Sequence, residues 1–400
     1  MASPHRIAFV SPRFSEGPTI GGAETLLRKL AERLVAAGWQ VDFLTTCARN
    51  HFTWENEIDP GEKVIAGITV RYFPVDSNRD LGAFIDVQNR ISRSVEVSRD
   101  EELTWHRNNV NSTALYDYLR AEGHRYEKIV MGPYLFALIY FASQIHPERT
   151  LLLPCLHNEC FAYLKTIREM FLNVSGWLFN TEPERDLAAQ LYGLDLSRSE
   201  VVGMGIDGFQ ADPDHFRRSH GLTAPYIIYS GRREPMKGTP LLLDYLDMFR
   251  ERTGRDIKLV LTGSGPYDPP TRLAPHIIDL GFVTEQEKHD AMAGAVAFCH
   301  PSVNESFSIV ILESWLAETP VLVHAAGDVM PSHCRKSNGG LWFRNYPEFE
   351  EGLSLLLEYP AVRKAMGKSG QRYVQTEYAW VSVESRLLKA LLKVYPGRHQ

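Results

Sequence analysis

The chain has 400 residues, 44% of them apolar and 23% charged, with a formal net charge of −6. The length exceeds one ordinary core and predicts two domains, and the composition is that of a globular protein. The acidic balance argues against a dedicated nucleic-acid binder, and the five scattered cysteines (Cys47, Cys155, Cys160, Cys299, Cys334) read as reduced intracellular thiols and not as a disulfide frame.

Met1–Arg6 leads directly into the strand Ile7–Val10 and has no signal-peptide core. The longest apolar run, Tyr134–Ala142, falls far short of the ~20 residues that span a bilayer. The expectation is a cytoplasmic protein, with contact to the inner membrane face left open. After Ile7–Val10 comes a Gly/Pro-rich loop, Ser11–Glu24. A helix carries Leu26, Leu27, Leu30, Leu34 and Val35 on one face and stops at Gly38. Val41–Thr45 is the next strand, giving the β-loop-α-β start of a doubly wound domain. Gly21-Gly22 stands at the helix mouth, as a plain turn or as room for a ligand to approach backbone N–H groups. It lacks the G-x-G-x-x-G dinucleotide fingerprint.

Ile65–Phe73 reads as a strand, the polar residues 76–109 as an inserted helical segment, and Asn111-Ser-Thr as the cap of a helix through Leu115 and Leu119. Lys128–Met131 is a strand ending at Gly132-Pro133, and Phe136–Ile145 a buried helix. Thr150–Pro154 is a strand that ends in Cys155-Leu-His157-Asn-Glu159-Cys160. No paired C-x-x-C or second histidine completes a metal shell there. His157 is then a core histidine or a functional one at the carboxyl edge of the sheet. Residues 161–176 form an apolar helix with Lys165 and Arg168, read either as core packing or as a surface for a lipid-linked acceptor. Thr181-Glu-Pro-Glu184 matches a capping box, and Val201-Val202 is a last strand.

Residues 203–221 read as a linker. Its Asp212-Pro-Asp214 triplet is a turn with an aspartate starting a helix. The second domain opens with the strand Tyr226–Tyr229 and the loop Ser230-Gly-Arg232-Arg-Glu-Pro-Met-Lys237-Gly238, ahead of a helix Leu241–Phe249. Two cations beside a helix N-terminus can neutralise a diphosphate, Arg with a planar fork and Lys as a point charge. Lys258–Leu261 and Ile277–Val283 follow, with Gly263 and Gly265 in the intervening turn. Glu285–Ala293 is a helix. The strand Ala295–Cys299 then meets Pro301-Ser-Val-Asn-Glu305-Ser306-Phe307-Ser308, and a helix runs from Ile309 to Leu316. A polar loop feeding a helix N-terminus is an anion site in α/β proteins. Ser306 and Ser308 are cap candidates, with Glu305 before the helix and Glu313 inside it. Pro320–Val323 is a strand, Asn338-Gly-Gly a turn, and helices fill Phe349–Leu357, Val362–Ser369 and Ser382–Val394.

The G-R-x-x-x-x-K-G stretch at 231–238, the two glutamates Glu305 and Glu313, the Gly-Gly-Ala-Glu at 21–24 and His157 together resemble the retaining GT-B glycosyltransferases of family 4 (glycosyl transferases group 1). Ser306 and Ser308 stand where that family usually has glycines. The resemblance implies an α/β chain of two Rossmann-like doubly wound domains facing a central cleft. Residues 1–203, with a C-terminal helix of about 380–400 crossing back, would form the acceptor side, and residues 204–379 the donor side. It implies transfer of a hexose-type sugar from a UDP- or GDP-sugar to a hydroxyl of a glycan or lipid-linked acceptor, with no metal and no cofactor beyond the donor. Glu305, His157, Arg232 and Lys237 would be catalytic. Gly22, Gly263, Gly265, Val283, Ser306, Phe307, Ser308 and Glu313 would contact the donor with Arg232, Lys237 and Glu305. A sugar-nucleotide 2-epimerase and a non-catalytic sugar-nucleotide-binding subunit are the alternatives, and base, sugar, acceptor and oligomeric state stay open.

Overall fold

A computed structural model describes residues 5–14 and 21–393. The chain divides into unit 1, residues 1–204 with 383–400, and unit 2, residues 205–382. Residues 1–4, residues 15–20 of the Gly/Pro-rich loop and residues 394–400 lie outside the described residues.

Unit 1 holds an eight-stranded sheet made of β1 (Arg6–Val10), β2 (Gln40–Thr46), β3 (Gly61–Ile65), β4 (Ile68–Phe73), β5 (Lys128–Met131), β6 (Thr150–Leu152), β7 (Gly176–Phe179) and β8 (Ser199–Val201). The spatial order is β3-β4-β2-β1-β5-β6-β7-β8. Every pairing is parallel except β3 with β4. Helices cover both faces of such a sheet, so its strands read as near-continuous apolar runs, and Ile7 to Val10 are fully buried. The single strand expected over Ile65–Phe73 is a hairpin. Ala66 and Gly67 both take positive φ, 50° and 80°, the two-residue turn whose twist suits tight antiparallel strands. The inserted segment is two helices, Leu81–Ser92 and Arg99–Asn108.

Three other expectations change in unit 1. The helix expected over Phe136–Ile145 spans only Ala137–Ala142. The apolar stretch 161–176 divides into a 3₁₀ turn, Cys160–Tyr163, a helix, Lys165–Asn173, and the start of β7. The apolar face of that helix, with Ile167, Met170 and Phe171, is buried in the core, while Lys165 and Arg168 are exposed. The capping box is only half formed. Thr181 accepts from the Glu184 N–H at 3.3 Å. The Glu184 carboxylate bonds elsewhere, to the N–H groups of Leu156 (2.7 Å) and Asn180 (2.6 Å).

Unit 2 holds a six-stranded parallel sheet of β9 (Tyr226–Ser230), β10 (Lys258–Thr262), β11 (Ile277–Asp279), β12 (Ala297–His300), β13 (Val321–His324) and β14 (Gly340–Phe343), in the order β11-β10-β9-β12-β13-β14. The helix Thr239–Thr253 buries Leu242, Leu246 and Phe249 at helical spacing against this sheet. Each such side chain contributes roughly 1.5–3 kcal/mol of burial. Asp212 caps the helix Pro213–Ser219, accepting from the His215 N–H at 2.8 Å. The Asp212-Pro-Asp214 triplet is therefore a helix start. The C-terminal helix Trp380–Leu392 continues into unit 1, where Val383, Leu387 and Ala390 are buried.

Candidate functional site

In unit 2 the chain leaves β9 toward β10 and leaves β12 toward β13, in opposite directions across the sheet. The loops after β9 and β12 diverge at the carboxyl edge, and open α/β sheets bind ligands at such a reversal. The first loop, Gly231–Gly238, ends in a 3₁₀ turn, Pro235–Lys237, ahead of the helix Thr239–Thr253. Gly238 has φ +72°, and a Cβ on it would stand 2.7 Å from the Pro301 carbonyl oxygen of the second loop. Only glycine permits both the backbone and that approach. The close packing brings Lys237 to Glu305, with Nζ 2.7 Å from Oε1. His300, at the end of β12, places Nε2 3.2 Å from the same oxygen. Burial alone would push the Glu305 carboxyl up. The Lys237 ammonium and His300 outweigh it and hold the carboxyl well below the usual carboxylate range.

The helix Ile309–Leu316 begins immediately after Ser308, which takes the left-handed conformation at φ +62°. The expected serine cap does not form: among the described residues no side-chain hydrogen bond closes this N-terminus, and Ser308 Oγ is buried with no hydrogen-bond partner. A cap needs an extended backbone to turn its oxygen back onto the first turn, and Ser308 has the conformation a glycine would take. The helix mouth keeps first-turn N–H groups that no cap occupies. Ser306 and Phe307 are buried in the same loop. The Phe307 ring meets Tyr378 and His333 edge-on, with centroids 5.2 and 6.1 Å away, so its side chain anchors the loop in the core.

Arg232 and Lys237 meet different carboxylates. Arg232 pairs with Glu234 at 3.2 Å and is 42% exposed. Its neighbour Arg233, which the sequence did not single out, is buried and bonds Asp279 and the Gly263 carbonyl, both at 2.6 Å. Gly263 has φ +102°, and a Cβ there would stand 2.2 Å from the Gly231 carbonyl oxygen. Gly265 meets the Arg233 backbone in the same way. These two glycines tie the loops after β9 and β10 together. Val283 is half-buried beside the exposed Phe282.

Glu313 lies inside the helix, half-buried, with Lys288 Nζ 3.0 Å from Oε2. Lys288 also bonds Glu285 at 2.8 Å. Burial pushes the Glu313 carboxyl up, and Lys288 opposes it. Glu285, His289 and Glu313 bring metal-ligating atoms within 4.8 Å of one another, and the Lys288 ammonium bonds both carboxylates of that group. Lys288 carried no sequence signal, since it sits in an ordinary polar helix face. His300 did carry one, as a histidine ending an apolar strand.

Gly22 and His157 belong to unit 1. Gly22 opens the helix Gly22–Ala36 and is exposed. His157 follows β6 and is half-buried, with Nδ1 3.6 Å from Glu159 Oε1. Tyr134 donates to that same oxygen at 2.7 Å.

Residues 211–373 match the family model of the glycosyl transferases group 1. The match covers most of unit 2. Among curated relatives, the phosphatidyl-myo-inositol mannosyltransferase of Mycobacterium tuberculosis is 31% identical over 201 residues, 47% of this chain and 51% of that protein. The chain spans about half the length of the curated relatives it matches. Among solved structures, sucrose-phosphate synthase from Thermosynechococcus elongatus superposes with a TM-score of 0.71 at 16% identity, covering 96% of this chain and 98% of that one. Anabaena HepE in complex with UDP and glucose gives 0.70 at 19%, covering 97% and 99%. The chain thus has the fold of the GT-B glycosyltransferases, two α/β domains with largely parallel sheets.

Proposed function

We propose that this protein is a retaining glycosyltransferase that moves a hexose-type sugar from a UDP- or GDP-sugar to a hydroxyl acceptor. The observation that carries the reading is the Lys237–Glu305 pair at the strand-order reversal of unit 2, beside a helix N-terminus that no side chain caps. Breaking the anomeric C–O bond leaves negative charge on the diphosphate and positive charge on the sugar ring. Lys237, Arg232 and the N–H groups after Ser308 would take the diphosphate charge, and preorganised charge of this kind is usually the largest catalytic contribution. The charge of Glu305 would orient a donor hydroxyl and favour the oxocarbenium-like state. Glu313 would hold ribose hydroxyls once Lys288 yields one of its oxygens. Attack on the same face, with the diphosphate as base, gives retention without a metal. The mannosyl group in the name of the mycobacterial relative supports a hexose-type sugar, and the UDP and glucose in the Anabaena structure support a nucleotide-sugar donor. Cell-surface polysaccharide, lipopolysaccharide and glycolipid are the acceptor classes proposed, with synthesis at the cytoplasmic side of a membrane. No helix among the described residues is long and apolar enough to cross one. The donor site proposed here rests on unit 2 alone.

The test is thermal unfolding with UDP, GDP, ADP and CMP, with and without EDTA, followed by transfer assays using the sugars of whichever base binds. A nucleotide at 100 times its Kd adds about 2.7 kcal/mol of stability. One base should stabilise the protein, unaffected by EDTA and lost in Arg232→Ala. Glu305→Gln should keep nucleotide binding and lose transfer. No shift with any nucleotide on folded protein overturns the reading. Binding without transfer to any acceptor marks a binding subunit, and an epimer formed without acceptor marks an epimerase.

A further inference from the structure

His300 ends a strand whose other residues, Ala297, Phe298 and Cys299, are apolar and buried. Its ring is 3% exposed and lies near the rings of Tyr229 and Phe298, with centroids 6.1 and 5.8 Å away. An imidazole in such surroundings costs free energy unless its nitrogens are bonded. Nδ1 is buried and makes no hydrogen bond among the described residues. Nε2 stands 3.2 Å from Glu305 Oε1. Glu305 is thus the polar contact that justifies a histidine where a phenylalanine would fill the same space.

Lys237 has two demands on it in the donor-site reading. It pairs with Glu305 at 2.7 Å, and it is a cation for the diphosphate. Its ammonium rides on a flexible four-carbon stem from the other loop. An ammonium drawn to a phosphate leaves a buried carboxylate short of a partner, free to rotate away from any productive direction. His300 has no such freedom, because its backbone is held in the sheet beside β9 and β13.

Resting on the donor-site reading, we propose that His300 is a positioning residue for Glu305: its Nε2–H holds the carboxylate in place while Lys237 turns to the diphosphate. The histidine touches neither donor nor acceptor; it acts through Glu305.

The experiment compares His300→Phe, which keeps the ring and removes the donor, with His300→Gln, which restores an N–H of similar reach. In the full chain, His300→Phe should lower kcat about 10- to 100-fold, the scale of a misdirected catalytic group, with nucleotide affinity within about threefold of the parent. His300→Gln should recover part of kcat. Unchanged kcat in His300→Phe overturns the proposal. So does a parallel loss of kcat, nucleotide affinity and thermal stability, which is a packing defect. The contact is read separately by ¹⁵N NMR of histidine-labelled protein, with His300 assigned by its absence in His300→Phe. Glu305→Ala should move the Nε2 resonance of His300. That shift is expected even if every nucleotide fails to bind and the donor-site reading falls; no shift overturns the His300–Glu305 contact itself.

Discussion

Two glutamates, one in each unit, stand at the carboxyl edge of their sheets with little solvent contact and respond to burial in opposite ways. Glu184 in unit 1 bonds the backbone N–H groups of Leu156 and Asn180. Those dipoles only partly offset the loss of water, and the carboxyl is pushed up to about 8. Glu305 in unit 2 suffers the same desolvation but faces Lys237 and His300, and is held well below the usual range. The lesson is that a full positive charge at hydrogen-bond distance reverses the burial effect, whereas two neutral donors do not. Glu184 staples the loop that carries His157 to the loop after β7, a structural task that tolerates a weak charge. The task proposed for Glu305 requires a permanent one.

Removing Lys237 breaks the comparison most directly, since it leaves Glu305 resembling Glu184. Lys237→Ala should destabilise the protein by about 2–3 kcal/mol at pH 7, somewhat below the roughly 3–5 kcal/mol for breaking a fully buried pair because both side chains keep some solvent contact. The loss should shrink between pH 7 and pH 5 as the unpaired Glu305 takes up a proton. Urea denaturation of both proteins at the two pH values measures it; an equal loss at both would mean that Glu305 finds another partner.

Titration sharpens the same contrast. The native pKa of Glu184 lies above its unfolded value of 4.5, so the folded state binds more protons between those values. Stability therefore falls as pH rises from 4.5 to about 8. Glu305 has the opposite sign: its contribution is present above its unfolded pKa and is lost as pH falls toward the depressed native one. Glu184→Gln should flatten the decline of unit 1 toward pH 8, at a cost of about 1–3 kcal/mol for setting an amide NH₂ against a backbone N–H. Glu305→Gln should leave that decline intact, lower stability across the neutral range through loss of the Lys237 pair, and remove the Glu305 share of the acid limb. Hydrogen exchange of the two units at pH 5 and pH 8 reads the first effect, and urea denaturation carried down to about pH 3 reads the second.

The sheet centres were legible in the sequence because strands buried on both faces are plain apolar runs, as with Ile7–Val10 and Tyr226–Tyr229. Elements flanked by other apolar residues were not. The strand Gly176–Phe179 follows an apolar helix with only Val174-Ser175 between them, and Gly340–Phe343 hides behind a Gly-Gly turn. The helix Val329–Ser337 begins with Val-Met-Pro and has no side-chain cap. In the site, the loops of unit 2 were legible because each follows a recognisable strand. Their pairings were not. Lys288 with Glu313, His300 with Glu305 and Arg233 with Asp279 join residues 25, 5 and 46 positions apart, and no local pattern encodes which cation meets which carboxylate.

Ser308 shows that limit at one residue and gives the smallest predicted effect. As a serine before a helix it reads as a cap, yet it sits at φ +62° with its hydroxyl buried and unbonded. Both features cost free energy: the left-handed backbone about 1 kcal/mol for a residue with a Cβ, and the unsatisfied hydroxyl a further fraction of the 1–3 kcal/mol expected for a buried polar group. Ser308→Gly removes both and adds backbone entropy to the unfolded state, which takes back about 0.5–1 kcal/mol. The balance is a gain of about 1 kcal/mol in denaturant unfolding without ligand. With nucleotide bound the gain should vanish or reverse, because the serine hydroxyl at the mouth of the Ile309–Leu316 helix then has a phosphate oxygen to donate to. A gain that stays the same with and without nucleotide would mean that the hydroxyl contributes nothing to the ligand, and that unit 2 carries the strain at Ser308 without return.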